Sequence, residues 1–263
     1  METLFILAVF VLGTIVGSFL NVVIFRLNTG RPVTAGRSYC FSCGQTLLAF
    51  DLIPIVSFIC LGGRCRRCRS KISFQYPLVE LVTGLVFTLI YIKLGASIDA
   101  LLAAAIFAVL IAITVYDLCH KIIPDILSII FAVLSVIVLL GGGEWDQSLV
   151  IHLVAGPLFY LPFYLLWKFS DGRLIGLGDG KLALGIGWFL GLSGGAATLI
   201  LGFWLGAIVG LFLIFLSKIG LFLKAKPLTI KSELPFGPFL IIGAAIAFFA
   251  DIDLITISHW FLW

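Results

Sequence analysis

Two aspartates stand where long apolar runs end. Asp179 lies in Gly176-Leu177-Gly178-Asp179-Gly180-Lys181, a glycine-rich turn between two apolar segments. Its glycines lack the Cβ atoms that would hold another backbone, or a substrate peptide, at a distance. Asp117 closes the run ending Thr114-Val115-Tyr116-Asp117, 62 positions earlier. An ionisable residue at a membrane span is a functional hypothesis by default. Two carboxylates around one water can divide peptide hydrolysis: the ionised one takes a proton from the water, and the protonated one donates to the carbonyl oxygen. Such a pair shares a single proton near neutrality and titrates as a unit. The plainer alternative is two unrelated loop or cap carboxylates. Asp125, next to Pro124, has a structural reason at a helix N-terminus and ranks below Asp117 as a catalyst. Gly176, Gly178 and Lys181 are candidates for supporting Asp179 or a substrate.

A second constellation is Cys40-Phe41-Ser42-Cys43 and Cys65-Arg66-Arg67-Cys68, two C-x2-C knuckles separated by 21 residues. This spacing points to tetrahedral thiolate coordination of Zn²⁺ by Cys40, Cys43, Cys65 and Cys68. A closed four-cysteine site has no open position, so its expected role is structural. Arg64, Arg66, Arg67 and Arg69 lie within reach to offset the net negative charge of four thiolates on zinc. Cys60 and Cys119 read as buried free thiols.

These groups need elements to position them. With 62% hydrophobic and 11% charged residues and a mean hydropathy of +1.23, the chain is no ordinary soluble domain but a polytopic all-α membrane protein. Apolar runs fall at 4–25, 77–95, 99–117, 124–141, 148–168, 179–193, 195–217 and 235–257, giving about eight spans. The first lacks a basic flank and reads as a permanent span, not a cleavable signal peptide. If the spans alternate, 16 of the 17 Lys and Arg residues share one side, with Lys93 opposite. By the positive-inside rule that side is cytoplasmic, and both termini are outside. Trp145, Trp260 and Trp263 then lie near the outer interface. The domains expected are a first span at 1–25, a small cytoplasmic tetracysteine domain at 26–76, and a seven-helix bundle at 77–263. A cytoplasmic location disfavours disulfides between the knuckles. It also leaves no need for a nucleic-acid partner to explain the net charge of +4.

The remaining polar residues read as follows. Gly13 and Gly17 form a small-xxx-small pair for close helix packing, and Asn21 is open to a structural or a functional reading. Glu80, one turn into a helix, suits the macrodipole there or contact with a substrate's charged group. His120 reads as a solvated loop residue, and His152 and His259 as outer-face residues without metal-ligand partners. Gly141-Gly142-Gly143-Glu144 reads as an outer turn, and Gly202, Gly206 and Gly210 as a packing stripe.

GSFLNVVIFR at 17–26, the two knuckles, RCRRCRSKISFQYPLVE at 64–80, YDLCHKIIPD at 116–125, GLGDGKL at 176–182 and PFGPFL at 235–240 occur in order along nearly the whole chain. Together they closely resemble the type IV prepilin peptidases, bifunctional leader peptidases and N-methyltransferases of the GxGD aspartic protease group. Phe41, where the family usually has Pro, is a departure. The resemblance implies that Asp117 and Asp179 are the catalytic aspartates and that prepilins or pseudopilins, of type IV pilus or type II secretion systems, are cleaved after a short basic leader. It implies further that the new N-terminus is methylated with S-adenosylmethionine, and that the protein sits in the bacterial inner membrane with its active site near the cytoplasmic face. The methyltransferase activity rests on the resemblance alone, because no glycine fingerprint of a nucleotide-binding domain occurs. Two rival readings are an intramembrane GxGD protease for other substrates and a non-enzymatic zinc-stapled scaffold or transporter.

Overall fold

The structure is a computed structural model that describes residues 1–141, 147–219 and 234–260. Gly142, Gly143 and Glu144 of the expected outer turn, with Trp145, Trp263, Lys224, Lys226 and Lys231, lie outside the described residues. The described residues form helices and no β-strand, apart from two isolated bridges. The chain divides into two compact units, 1–112 and 113–263.

In the first unit α1 (Glu2–Arg26) packs on α3 (Gln75–Leu94). The expected small-residue pair makes this possible: a Cβ on Gly17 would lie 2.7 Å from the Glu80 Cα, and one on Gly13 2.8 Å from the Gly84 Cα. Asn21 ties the same seam by donating its amide to the Tyr76 carbonyl at 3.2 Å and the Gly17 carbonyl at 3.3 Å. Between these helices run a 3₁₀ turn at Ala49–Leu52, the short α2 (Val56–Cys60) and the two cysteine knuckles. α4 (Ile98–His120) begins in the first unit and ends in the second, to which its residues from Ile113 onward, Asp117 included, belong. It extends past Asp117 and is stopped by Lys121 in the left-handed region at φ 55°.

The second unit contains α5 (Asp125–Gly141), α6 (Gln147–Ser170), α7 (Leu177–Lys218), α8 (Gly237–Phe249) and α9 (Leu254–His259), with α5, α6 and α8 all packed against α7. The sixth and seventh apolar runs form one helical element, broken at Gly191, whose φ of 68° and ψ of −167° only glycine adopts without strain. The 14 residues before the break extend about 21 Å, less than the ~30 Å bilayer core. Gly202 of the stripe lies against α8, where an added Cβ would meet the Leu240 side chain at 3.0 Å. The last run is not one helix to 257: α8 ends at Phe249, Asp251 turns the chain at φ 51°, and Asp253 caps α9 by accepting from the Thr256 N–H at 2.7 Å.

Among the described residues, five helices are long and apolar enough to cross a membrane: α1, α3, α4, α6 and α7; α5 and α8 are shorter apolar helices. Large apolar side chains such as Leu4, Phe5, Leu12 and Ile15 point outward from α1, as a protein solvated by lipid requires.

Candidate active site and metal centre

The glycine-rich stretch is the first turn of α7, not a turn between two spans. Gly176 is its N-cap, and Asp179 occupies the third helical position. From there the carboxylate reaches back to the Gly176 N–H, one half of a capping box, which fixes its direction. The side chain is only 8% exposed.

Asp117, 4% exposed, faces the start of α8, where the Gly237 N–H donates to its carboxylate. The approach is so close that a Cβ on Gly237 would lie 2.8 Å from Asp117 Oδ2. Ile123 packs against both neighbourhoods. A Cβ on Gly178 would be 2.8 Å from the Ile123 Cβ, and one on Gly237 3.0 Å from its Cδ1. The two carboxylates are near enough to interact electrostatically. Each is thus buried in the same unit and held at a helix N-terminus, where backbone N–H groups and the macrodipole favour a carboxylate.

Asp125 is separate from this pair. Its exposed carboxylate takes the Lys181 ammonium at 2.6 Å, a surface ion pair of about 0–1 kcal/mol. The pair links the first turns of α5 and α7. Glu80 belongs to the first unit, where it is 7% exposed and its Oε2 accepts the Ile55 N–H at 2.7 Å. Sequence pattern does not mark Gly237 or Ile123 as neighbours of the aspartates. The sequence offered only a glycine between two prolines at a helix start, and an aliphatic residue in a short loop.

The knuckles converge. The Sγ atoms of Cys40, Cys43, Cys65 and Cys68 all lie within 4.8 Å of one another, and the Cys40–Cys68 separation of 3.8 Å is the edge of a tetrahedron built on Zn–S bonds of about 2.3 Å. The knuckles repeat one geometry. The Cys40 N–H donates to the Gln45 carbonyl and the Gly44 N–H to the Cys40 carbonyl. Cys65 pairs likewise with Ser70 and Arg69. Gly44 and Arg69 take the same left-handed conformation. Backbone N–H groups of Cys43 and Ser42 bring the Cys40 thiol down to about 6. At Cys43 the Gln45 N–H favours the thiolate, but desolvation and the Cys40 and Cys68 sulfurs outweigh it and push the thiol up to about 11. Four sulfurs this close cannot all ionise without a cation among them, so the donor set fits a divalent metal. The arginines do not all serve it: Arg66 binds Asp51 through two bonds, at 2.8 and 2.9 Å, and Arg67 binds Gln45. Cys60 and Cys119, expected to be buried, are exposed, because each falls on the outer side of a helix end. His120 is in the last turn of α4 and not in a loop, stacked on Tyr116 with centroids 4.2 Å apart.

Purified protein is expected to hold one Zn²⁺ per chain. Cys65→Ser, at the buried ligand, should abolish that occupancy and open residues 27–74 to protease. Metal analysis with limited proteolysis checks this, and intact protein with substoichiometric zinc would refute it.

Residues 11–94 match the bacterial peptidase A24 N-terminal domain, and residues 104–211 the type IV leader peptidase family. The chain is 33% identical over 266 residues to the prepilin leader peptidase/N-methyltransferase of Burkholderia pseudomallei (strain 1026b), covering 91% of this chain and 83% of that protein. With the protein of the same name from Aeromonas salmonicida (strain A449) the identity is 33% over 282 residues, covering 97% and 92%. With that from Myxococcus xanthus (strain DK1622) it is 33% over 213 residues, and the match spans 80% of this chain and 64% of the relative. No solved structure matches. Both domain matches occur in order, and a third of the residues are shared along nearly the full length of two relatives, so the chain belongs to the type IV leader peptidase family.

Proposed function

We propose that this protein is a membrane aspartic endopeptidase that removes the short basic leader from type IV prepilins or pseudopilins and then N-methylates the new N-terminus with S-adenosylmethionine. The observation that carries the peptidase reading is the convergence of Asp117 and Asp179, 62 residues apart in the chain, as buried and mutually interacting carboxylates. One carboxylate, ionised, takes a proton from the attacking water; its partner, protonated, donates to the scissile carbonyl oxygen. The proton then passes to the leaving amine. Gly176 and Gly237 aim the carboxylates through their N–H groups, and Gly178 leaves room beside Ile123. Lys181 and Asp125 brace the first turn of α7 from its exposed side.

Around that site we assign about eight spans: α1, α3, α4, α5, α6, the two parts of α7, and α8. Residues 1–25 form the first, 26–76 a cytoplasmic tetracysteine domain stapled by zinc, and 77–263 the bundle carrying the aspartates. The placement of nearly all basic residues on one side supports a cytoplasmic active-site face in the bacterial inner membrane, with both termini outside. A prepilin whose leader lies in the cytoplasm presents its scissile bond at that depth.

Purified protein in detergent, incubated with a peptide carrying a basic leader and a hydrophobic stretch, should cut once, at the leader junction. Mass spectrometry of the products checks this. Equal cleavage of a leaderless hydrophobic helix would favour a general intramembrane protease instead.

A further inference from the structure

A cavity of about 1120 Å³ lies in the first unit, lined by α1, α3 and the knuckle segment. It is somewhat larger than the ~300–1,000 Å³ of ordinary small-molecule sites, so it has room for a ligand together with the end of a peptide. Ser18, Asn21, Phe25, Tyr76 and Glu80 are part of its lining.

Asn21 is 1% exposed. Its amide nitrogen donates to two backbone carbonyls, Tyr76 and Gly17, which settles which end of the amide is oxygen. That oxygen, Oδ1, has no hydrogen-bond partner. A buried acceptor left unpaired is costly and calls for a donor. The second buried acceptor is Glu80. It holds the Ile55 N–H and the Ser18 hydroxyl, and a carboxylate has about four acceptor positions. Ile55 is a β-branched residue at φ 61°. Such strain persists only where the surroundings impose it, and it gathers at functional sites. Beside these acceptors the Phe25 and Tyr76 rings stack with centroids 5.1 Å apart, an aromatic surface suited to a cation or an apolar side chain.

Two buried acceptors with an aromatic wall fit a compact group with several N–H donors and an apolar neighbour. We infer that this cavity is the methyl-transfer site, in which Asn21 Oδ1 and the Glu80 carboxylate receive the α-amino group of a cleaved pilin, an inference that rests on the reading of the chain as a pilin N-methyltransferase. The amino group arrives as an ammonium and passes one proton to Glu80. The freed nitrogen lone pair forms a bond to the methyl carbon of the sulfonium cofactor. The carbon–sulfur bond breaks with its electrons left on sulfur, giving a neutral thioether and a secondary ammonium. The charges balance: a sulfonium, an ammonium and a carboxylate become a thioether, a methylated ammonium and a carboxylic acid.

A basic leader fits the same cavity poorly. Arg31, Arg67 and Lys71 also line it, and its other acid, Asp51, is already paired with Arg66. Like charges repel a run of Lys or Arg, whereas those cations suit a carboxylate such as the cofactor carries.

The test uses full-length protein in detergent and a fluorescent peptide with a pilin-like hydrophobic N-terminus, either free or acetylated. Without cofactor, wild type should bind the free-amine peptide about tenfold more tightly than the acetylated one. Glu80→Gln, which keeps the side chain's size, should erase that preference and lower methyl transfer about 100-fold, with zinc content and leader cleavage at wild-type values. Asn21→Ser is the second variant and decides the matter if Glu80→Gln does not fold. Retained amine preference in the folded variants overturns the inference, and so does its loss together with zinc and cleavage, which marks a structural role. If wild type cleaves leaders yet transfers no methyl group, the methyltransferase reading fails, and the peptide preference alone judges the amine site.

Discussion

Asp117→Asn and Asp179→Asn each lower leader cleavage by roughly 10³–10⁴-fold, the scale of a lost general acid or base, while expression, zinc content and thermal stability stay near wild type. The amide retains the volume of each side chain and can still accept from the N–H groups of Gly237 and Gly176. What it cannot do is share a proton with its partner. The double variant should therefore be little worse than either single one, because residues acting as a unit are strongly non-additive. In wild type the same coupling gives a bell-shaped pH–rate profile whose two limbs belong to the pair. Asp125→Asn should cost less than tenfold, since it removes an exposed ion pair with Lys181. Initial rates on a leader peptide decide it. An inactive Asp125→Asn beside an active Asp117→Asn would end the assignment.

The candidate site was partly legible in the sequence, for reasons that differ residue by residue. Asp117 and Asp179 stood out because a charge at the end of an apolar run is rare and costly. The knuckles stood out because C-x2-C spacing matches the reach of one metal ion. Local pattern could not reveal what approaches from far along the chain. Asp117 meets Gly237, 120 positions later, and Ile123 sits beside both glycines only because α5, α7 and α8 pack as they do. Glu80 reads equally well as a helix-terminus carboxylate or a substrate contact, and no local pattern marks the Ile55 N–H that it accepts from 25 positions earlier. Helices were legible wherever an apolar run was continuous. Differences fall at interruptions: the break between the sixth and seventh runs, expected at 193–195, lies at Gly191, and Asp251 and Asp253 divide the last run. Such outcomes depend on backbone dihedrals and a cap hydrogen bond, not on hydrophobicity. Cys60 and Cys119 are exposed where their neighbours suggest burial, because apolar neighbours in sequence do not say which way one helix position faces.

Gly237→Ala should reduce leader cleavage about 100-fold, the scale of a misplacement of 1 Å in a catalytic group. The new Cβ would lie 2.8 Å from Asp117 Oδ2 and 3.0 Å from Ile123 Cδ1, both inside ordinary contact distance. Either the carboxylate swings off the Gly237 N–H, or the start of α8 withdraws and carries that N–H away. In both cases Asp117 loses the donor that aims it, although the carboxylate remains. The loss should thus appear in kcat with KM little changed, because substrate contacts elsewhere are intact. Helix propensity predicts the opposite, since alanine is a better helix former than glycine by about 1 kcal/mol; a purely structural effect would leave stability equal or higher. Gly206→Ala is the matched control, because its Cβ would meet Phe239 at an ordinary 3.5 Å, and it should keep wild-type activity. Steady-state kinetics with a melting curve for each variant distinguishes these cases. A Gly237→Ala protein with unchanged kcat would show that Asp117 does not depend on the α8 terminus for its aim, and the geometry assigned to the pair would have to be abandoned.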